Sequence, residues 1–169
     1  MARPAITDYD EFFSGYITEV SEEDVPAAFA NQLLVIHAVL SSINEQQSLN
    51  SYAPGKWTIR EMLQHMIDAE RIFAYRALCI ARQEKASLPA FDENEYAANS
   101  DANKRHWKSL VNEFMNTRLS TQDLFDTFTE SMLQQKGIAN KREITVLSLG
   151  YIIVGHVYHH IKMLKEKYL

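Results

Sequence analysis

"TIREMLQHMIDAERIFAYRALCIA", residues 58–81, decides the fold. Thr58 and Glu61 have the spacing of a capping box, in which each side chain satisfies a backbone amide left free at a helix start. One face of the following helix carries Glu61, Met62, His65, Ala69, Ile72 and Arg76, apolar in part and charged at both ends. Such a face suits a lined cavity better than a solid core. The spacing predicts a long helix running to about Gln83.

The same helical periodicity continues on both sides of this segment. Residues 21–43, "SEEDVPAAFANQLLVIHAVLSSI", begin at a cap-like Ser21 or Asp24, with Pro26 near the start, and carry a stripe of Phe29, Leu33, Ile36 and Leu40. A third long helix is expected within "KRHWKSLVNEFMNTRLSTQDLFDTFTE", residues 104–130, and a last one from about Glu143 almost to Leu169. "ITDYDEFFSGYITEV", residues 6–20, reads as a short extra helix at the N-terminus. The connections are "SYAPGKW" with its Pro54-Gly55 break, the irregular "ASLPAFDENEYAANSDAN" with one helical turn near Glu95, and a loop marked by Gly137 and Asn140. No stretch reads as a strand. Four long amphipathic helices predict an all-α four-helix bundle, with residues 1–169 forming one domain.

Composition narrows the function classes. The chain has 169 residues, 46% hydrophobic and 23% charged, the profile of a soluble globular protein. A net charge of −5 argues against nucleic acid as a partner. The most apolar segment, "ITVLSLGYIIVGHVY", is too short for a membrane span, and "MARPAITDYDEFF" is not a secretory signal. The single cysteine, Cys79, fits a reducing compartment, so a cytoplasmic location is expected. It stands about 21 Å along the helix from His65, too far to share a ligand with it. There is no glycine-rich phosphate loop and no nucleophile elbow.

The chemistry-bearing segment is "GHVYHHIKML", residues 155–164. His156 and His160 lie one above the other on a helix, about 40° apart around the axis. Leu149, Ile152 and Met163 share their face, so the pair lies on the core-facing stripe. His159 is rotated about 100° from His160, to the edge of that face. Paired imidazoles at this spacing offer two nitrogens to one divalent ion. A third donor would come from His37, His65 or His106. His37 is off its helix's apolar stripe and His106 precedes Trp107 where surface placement is easy, so His65 is the best candidate. The alternative is a set of core histidines bonded to carbonyls or water.

"KWTIREMLQHMIDAERIF", residues 56–73, followed later by "GHVYHHIKML", resembles the DinB-like superfamily, which is named for DNA-damage-inducible proteins and includes metalloenzymes of the YfiT type. The likeness extends from the second helix to the C-terminus. It rests on the tryptophan before the capped helix, the histidine inside it and the late H-x-x-x-H. The resemblance implies a four-helix bundle, commonly a homodimer, with His65, His156 and His160 as ligands of a divalent ion, usually nickel or zinc. Relatives include bacillithiol transferases and a mycothiol-dependent maleylpyruvate isomerase, which brings in a low-molecular-weight thiol as a second cofactor. Where many members continue with Arg-Gly-Gln, this chain has Ile161-Lys162-Met163.

Three nitrogens without a fixed fourth protein ligand leave open positions, the arrangement of a catalytic site. The expected function is a metal-dependent enzyme acting on a small molecule, a hydrolase or a thiol-dependent S-transferase. The alternative is a non-catalytic metal-binding or dimeric stress-response protein. Four residues are candidates to support the centre. Arg76, about 16 Å along the axis from His65, could reach back toward an anionic substrate. Asp68 could orient a ligand imidazole, Tyr96 could line the pocket from a loop, and His159 could be a ligand or a neighbouring donor. Tyr158 faces away and is expected to pack.

Overall fold

The computed structural model describes residues 3–169. Two single turns of 3-10 helix, Ile6–Asp8 and Glu11–Phe13, lead into a short helix α1, Ser14–Thr18. The long helices are α2, Val25–Ser41; α3, Ile59–Ala81; α5, Trp107–Asp126; and α7, Val146–Lys167. Shorter elements join them: α4, Glu93–Asn99; α6, Glu130–Leu133; and a hairpin of β1, Lys136–Ala139, and β2, Arg142–Thr145.

The helix starts follow local chemistry. Glu61 N donates to Thr58 Oγ1 at 3.1 Å and Thr58 N donates to Glu61 Oε2 at 2.8 Å, so the capping box forms. Asp24 caps α2 through the Ala27 amide at 2.8 Å, with Pro26 in the first turn. The long helices pack in the cyclic order α2, α5, α3, α7, so α2 and α3 occupy opposite corners and the chain crosses the bundle between them. The α2 core stripe is Phe29, Gln32, Ile36 and Leu40; Leu33 is only half-buried.

The expectation of no strand is corrected. Lys136–Ala139 and Arg142–Thr145 pair antiparallel, with Gly137 opposite Ile144. The two-residue turn places Asn140 at φ 51° and Lys141 at φ 62°, the left-handed pair that suits a tight hairpin. Leu88 adds a parallel bridge to Ala139. Glu143, expected in the last helix, lies in β2; α7 begins only at Val146, capped by the Thr145 hydroxyl, which accepts from Ser148 N at 3.1 Å. The irregular stretch after α3 contains a full short helix, α4, capped by Asp92.

The core is two apolar clusters with a polar layer between them. Each long helix contributes to that layer. Arg118 of α5 makes a forked ion pair with Glu70 of α3, with Nε to Oε1 at 2.9 Å and Nη2 to Oε2 at 2.8 Å. Arg118 Nη1 also donates to Gln32 Oε1 of α2, and Gln32 Nε2 donates to the Val154 carbonyl of α7 at 2.5 Å. Arg118 and Glu70 are 0% and 1% exposed. A buried charge pair is tolerated when its remaining donors and acceptors are satisfied, as they are here.

The short helix α1 is seated on α7 at Gly155. A Cβ there would lie 1.9 Å from the Tyr16 carbonyl oxygen and 2.5 Å from its carbon, backbone atoms that no rotamer change can move. Alanine has the higher helix propensity by about 1 kcal/mol, but forcing atoms into a packed contact costs about 1–3 kcal/mol. Gly155→Ala is therefore expected to lower stability by up to about 2 kcal/mol and displace α1, read by urea melts and by loss of amide protection at residues 14–18. A stabilised variant would show that the contact is loose.

Candidate metal centre

His65 comes from the second turn of α3, and His156 and His160 from successive turns of α7. The three rings converge. His156 Nε2 lies 3.0 Å from His65 Nε2 and 3.0 Å from His160 Nε2. One donor atom from each ring fits within a 4.8 Å cluster. The residues are 9%, 5% and 6% exposed. The structure thus assembles the three histidines singled out by spacing, while exposed His37 and His106 stand apart from them.

A neutral imidazole nitrogen carries either one proton or one in-plane lone pair. His156 Nε2 faces two other nitrogens, so at most one of its two contacts is a well-formed hydrogen bond. Burial pushes His65 down to about 4, slightly opposed by the Glu93 carboxylate. It pushes His156 and His160 well below the usual imidazole range, with the neighbouring imidazoles adding to the effect. The centre therefore holds three uncharged nitrogens at neutral pH. Three converging uncharged nitrogens, each able to turn a lone pair inward, suit a divalent cation. His160 Nδ1 is buried without a hydrogen-bond partner, so packing against the His159 and His65 rings orients this ring.

These depressed values set a pH dependence. The unfolded chain binds protons at its histidines near pH 6.5, and the folded metal-free protein does not until about pH 4 at His65. Stability is therefore full above about pH 7 and falls as pH drops through 6.5 toward 4. His65 alone accounts for about 2 kcal/mol between pH 7 and pH 5. Thermal melts of chelator-treated protein at both values should show that loss, and His65→Ala should flatten the slope.

The walls of the centre come from the segment before α3, from α3 itself and from α1. Trp57, just before α3, packs on the His65 ring at 4.9 Å. Phe73 meets His156 at 6.1 Å. Tyr16 of α1 packs edge-on against His156 at 5.4 Å and His159 at 5.6 Å. Burial and the Glu93 carboxylate push the Tyr16 phenol upward, so it keeps its proton. Glu93, the first residue of α4, thus acts electrostatically on both His65 and Tyr16.

The supporting residues expected from sequence fall mostly elsewhere. Asp68 accepts from Gln64 Nε2 at 2.9 Å and is hydrogen-bonded to no imidazole. Tyr96 lies on α4, not on a loop; it meets Phe91 edge-to-face and lines an outer hollow with Gln64 and Asp68 that includes none of the histidines. Arg76 donates to the Pro89 carbonyl at 2.7 Å and sits over the Phe73 and Phe91 rings, so it fastens the loop before α4 and does not reach the centre. His159 is half-buried at the edge of the cluster, beside His160 at 5.2 Å, and is outside the converging triad. Tyr158 packs between both apolar clusters. Tyr16 and Glu93 were not identifiable from spacing. The one signal for Tyr16 was Gly155 inside an apolar helix next to His156, a place where another backbone comes close.

Comparison with known proteins is consistent with this architecture. A protein of Oceanobacillus iheyensis named "Putative metal-dependent hydrolase" is 27% identical over 128 residues, 75% of this chain and 73% of its own. One of the same name from Geobacillus thermodenitrificans is 24% identical over 131 residues, 74% of this chain and 71% of its own. The fold matches YfiT from Bacillus subtilis, described as a probable metal-dependent hydrolase with an unusual four-helix bundle topology. That match has a TM-score of 0.70 at 19% identity and covers 97% of this chain and 90% of YfiT. It also matches the mycothiol-dependent maleylpyruvate isomerase, with a TM-score of 0.63 at 12% identity over 89% of this chain and 59% of that one. No helix among the described residues is long and apolar enough to cross a membrane. The DinB superfamily model matches residues 29–164, which include all three clustered histidines, and the chain belongs to that superfamily.

Proposed function

We propose that this protein is a metal-dependent hydrolase of small molecules, holding one nickel or zinc ion through the Nε2 atoms of His65, His156 and His160. The observation that carries the proposal is the convergence of three uncharged imidazole nitrogens, with contacts of 3.0 Å and no carboxylate or thiol among them. The names of the relatives support it. When bound, a divalent ion supplies a Lewis acid that acidifies water and polarises a carbonyl.

The chain's own residues supply the surroundings. Trp57 packs on the His65 ring and Phe73 meets His156 edge-to-face, giving the imidazoles apolar neighbours. The Tyr16 hydroxyl, held protonated, donates a hydrogen bond to negative charge that develops on a substrate oxygen. The Glu93 carboxylate, whose charge acts on both His65 and Tyr16, serves as an acceptor for a proton.

The test is hydrolysis of a panel of small esters and amides by ion-loaded and chelator-stripped protein. Activity is expected only with the ion, and Tyr16→Phe should lower kcat by about 100-fold with the ion still bound. Equal hydrolysis with and without the ion would contradict the proposal.

A further inference from the structure

Beside the histidine centre is a hollow of about 260 Å³. His160 forms part of its floor; Trp57, Tyr52, Tyr168, Met62 and Met163 give it an aromatic and thioether wall, and Asn94 of α4 borders it. The wall is braced. The Tyr168 hydroxyl donates to the Trp57 carbonyl at 2.8 Å, and the Tyr52 and Tyr168 rings meet edge-to-face at 5.1 Å. A dry cavity of roughly 150 Å³ takes a benzene ring, so this volume suits one ring with a short chain.

Two lysines stand at the mouth. Lys56 borders the hollow, and Lys167 Nζ stands 5.1 Å over the Tyr52 ring. Among the described residues neither lysine has a carboxylate within ion-pair distance. The Glu61 carboxylate accepts from the Thr58 amide at 2.8 Å and from Asn103 Nδ2 at 3.0 Å, which fixes its place but leaves its charge, felt at Tyr168. Glu93 precedes Asn94 in α4 and adds its negative charge near His65 and Tyr16.

We infer that the substrates are small carboxylic acids with an aromatic or comparable apolar body. This inference rests on the hydrolase proposal. The body fills the aromatic hollow, the carboxylate lies at Lys56 and Lys167, and the bond to be broken is presented to the three histidines. The two lysines give an anionic end a fixed address and so set the orientation of the molecule.

The test uses three probes of one shape: 3-phenylpropanoate, the neutral 3-phenylpropanamide and cationic 3-phenylpropylamine. Each is titrated calorimetrically into the full-length protein, with and without zinc. The acid should bind best and the amine worst. Lys56→Gln/Lys167→Gln should weaken the acid by about fivefold and leave the amide within twofold. Circular dichroism checks that this surface variant is folded, and the charge series on the wild type stands without it.

Indifference to probe charge, an acid affinity unchanged by the double variant, or no binding of any probe would overturn the inference. Acid binding that needs zinc but ignores the lysines would overturn it too, by placing the carboxylate on the ion. A failure of the metal proposal shows separately, as zinc that does not bind, because the hollow's discrimination by charge is read in the zinc-free titrations as well.

Discussion

Replacing Glu70 by alanine is expected to lower stability by about 3–5 kcal/mol, because it strands the guanidinium of Arg118 in the middle of the bundle. The pair is almost fully buried, at 0% and 1% exposure, so Arg118 has no solvent contact to replace the lost acceptor. Its remaining partner, Gln32, is already engaged with the Val154 carbonyl. For a chain of this size the loss corresponds to roughly 10 °C in melting temperature. Replacing both charges, as in Glu70→Leu/Arg118→Met, should be far milder than Glu70→Ala, since it removes the unpaired charge together with its partner. A Glu70→Ala variant within 1 kcal/mol of wild type, or a double variant as unstable as the single, would show that water reaches the layer.

The second large effect is expected at His156. Its Nε2 is the common neighbour of the other two, 3.0 Å from each. Losing a group that merely orients a ligand costs about 10–100-fold in ion affinity, so losing a donor from a set of three should cost more than 100-fold. Competition against a chromophoric chelator should show this for His156→Ala. His159→Ala, whose ring lies outside the converging set, should stay within tenfold of wild type. Thermal melts of both variants without the ion separate lost ligation from lost folding. An affinity within tenfold for His156→Ala would remove it from the centre.

The fold was legible where local chemistry fixes it. Thr58 and Glu61 mark the start of α3, and Asp24 with Pro26 marks α2, because caps act within one turn. The H-x-x-x-H spacing of His156 and His160 needs only the helical repeat, and His65 followed from the mixed face of α3. The hairpin was missed because each strand has four residues, too few for alternation to register, and Ile144 reads equally well as the start of α7. The Glu70–Arg118 pair joins residues 48 apart, and nothing local distinguishes either from a solvated charge. Tyr16 reaches the centre only because α1 folds back onto Gly155, a tertiary event. Asp68 and Arg76 were drawn to the site by their nearness to His65 on one helix; Gln64 and Pro89 claim them instead.

The central claim is tested most directly by elemental mass spectrometry on untagged protein, purified without chelator, beside His65→Ala/His156→Ala. One equivalent of nickel or zinc in the wild type, with less than about a tenth of that in the variant, is the predicted result. No ion in the wild type even after reconstitution, or equal content in both proteins, would contradict it and leave the three imidazoles as a structural cluster in the core.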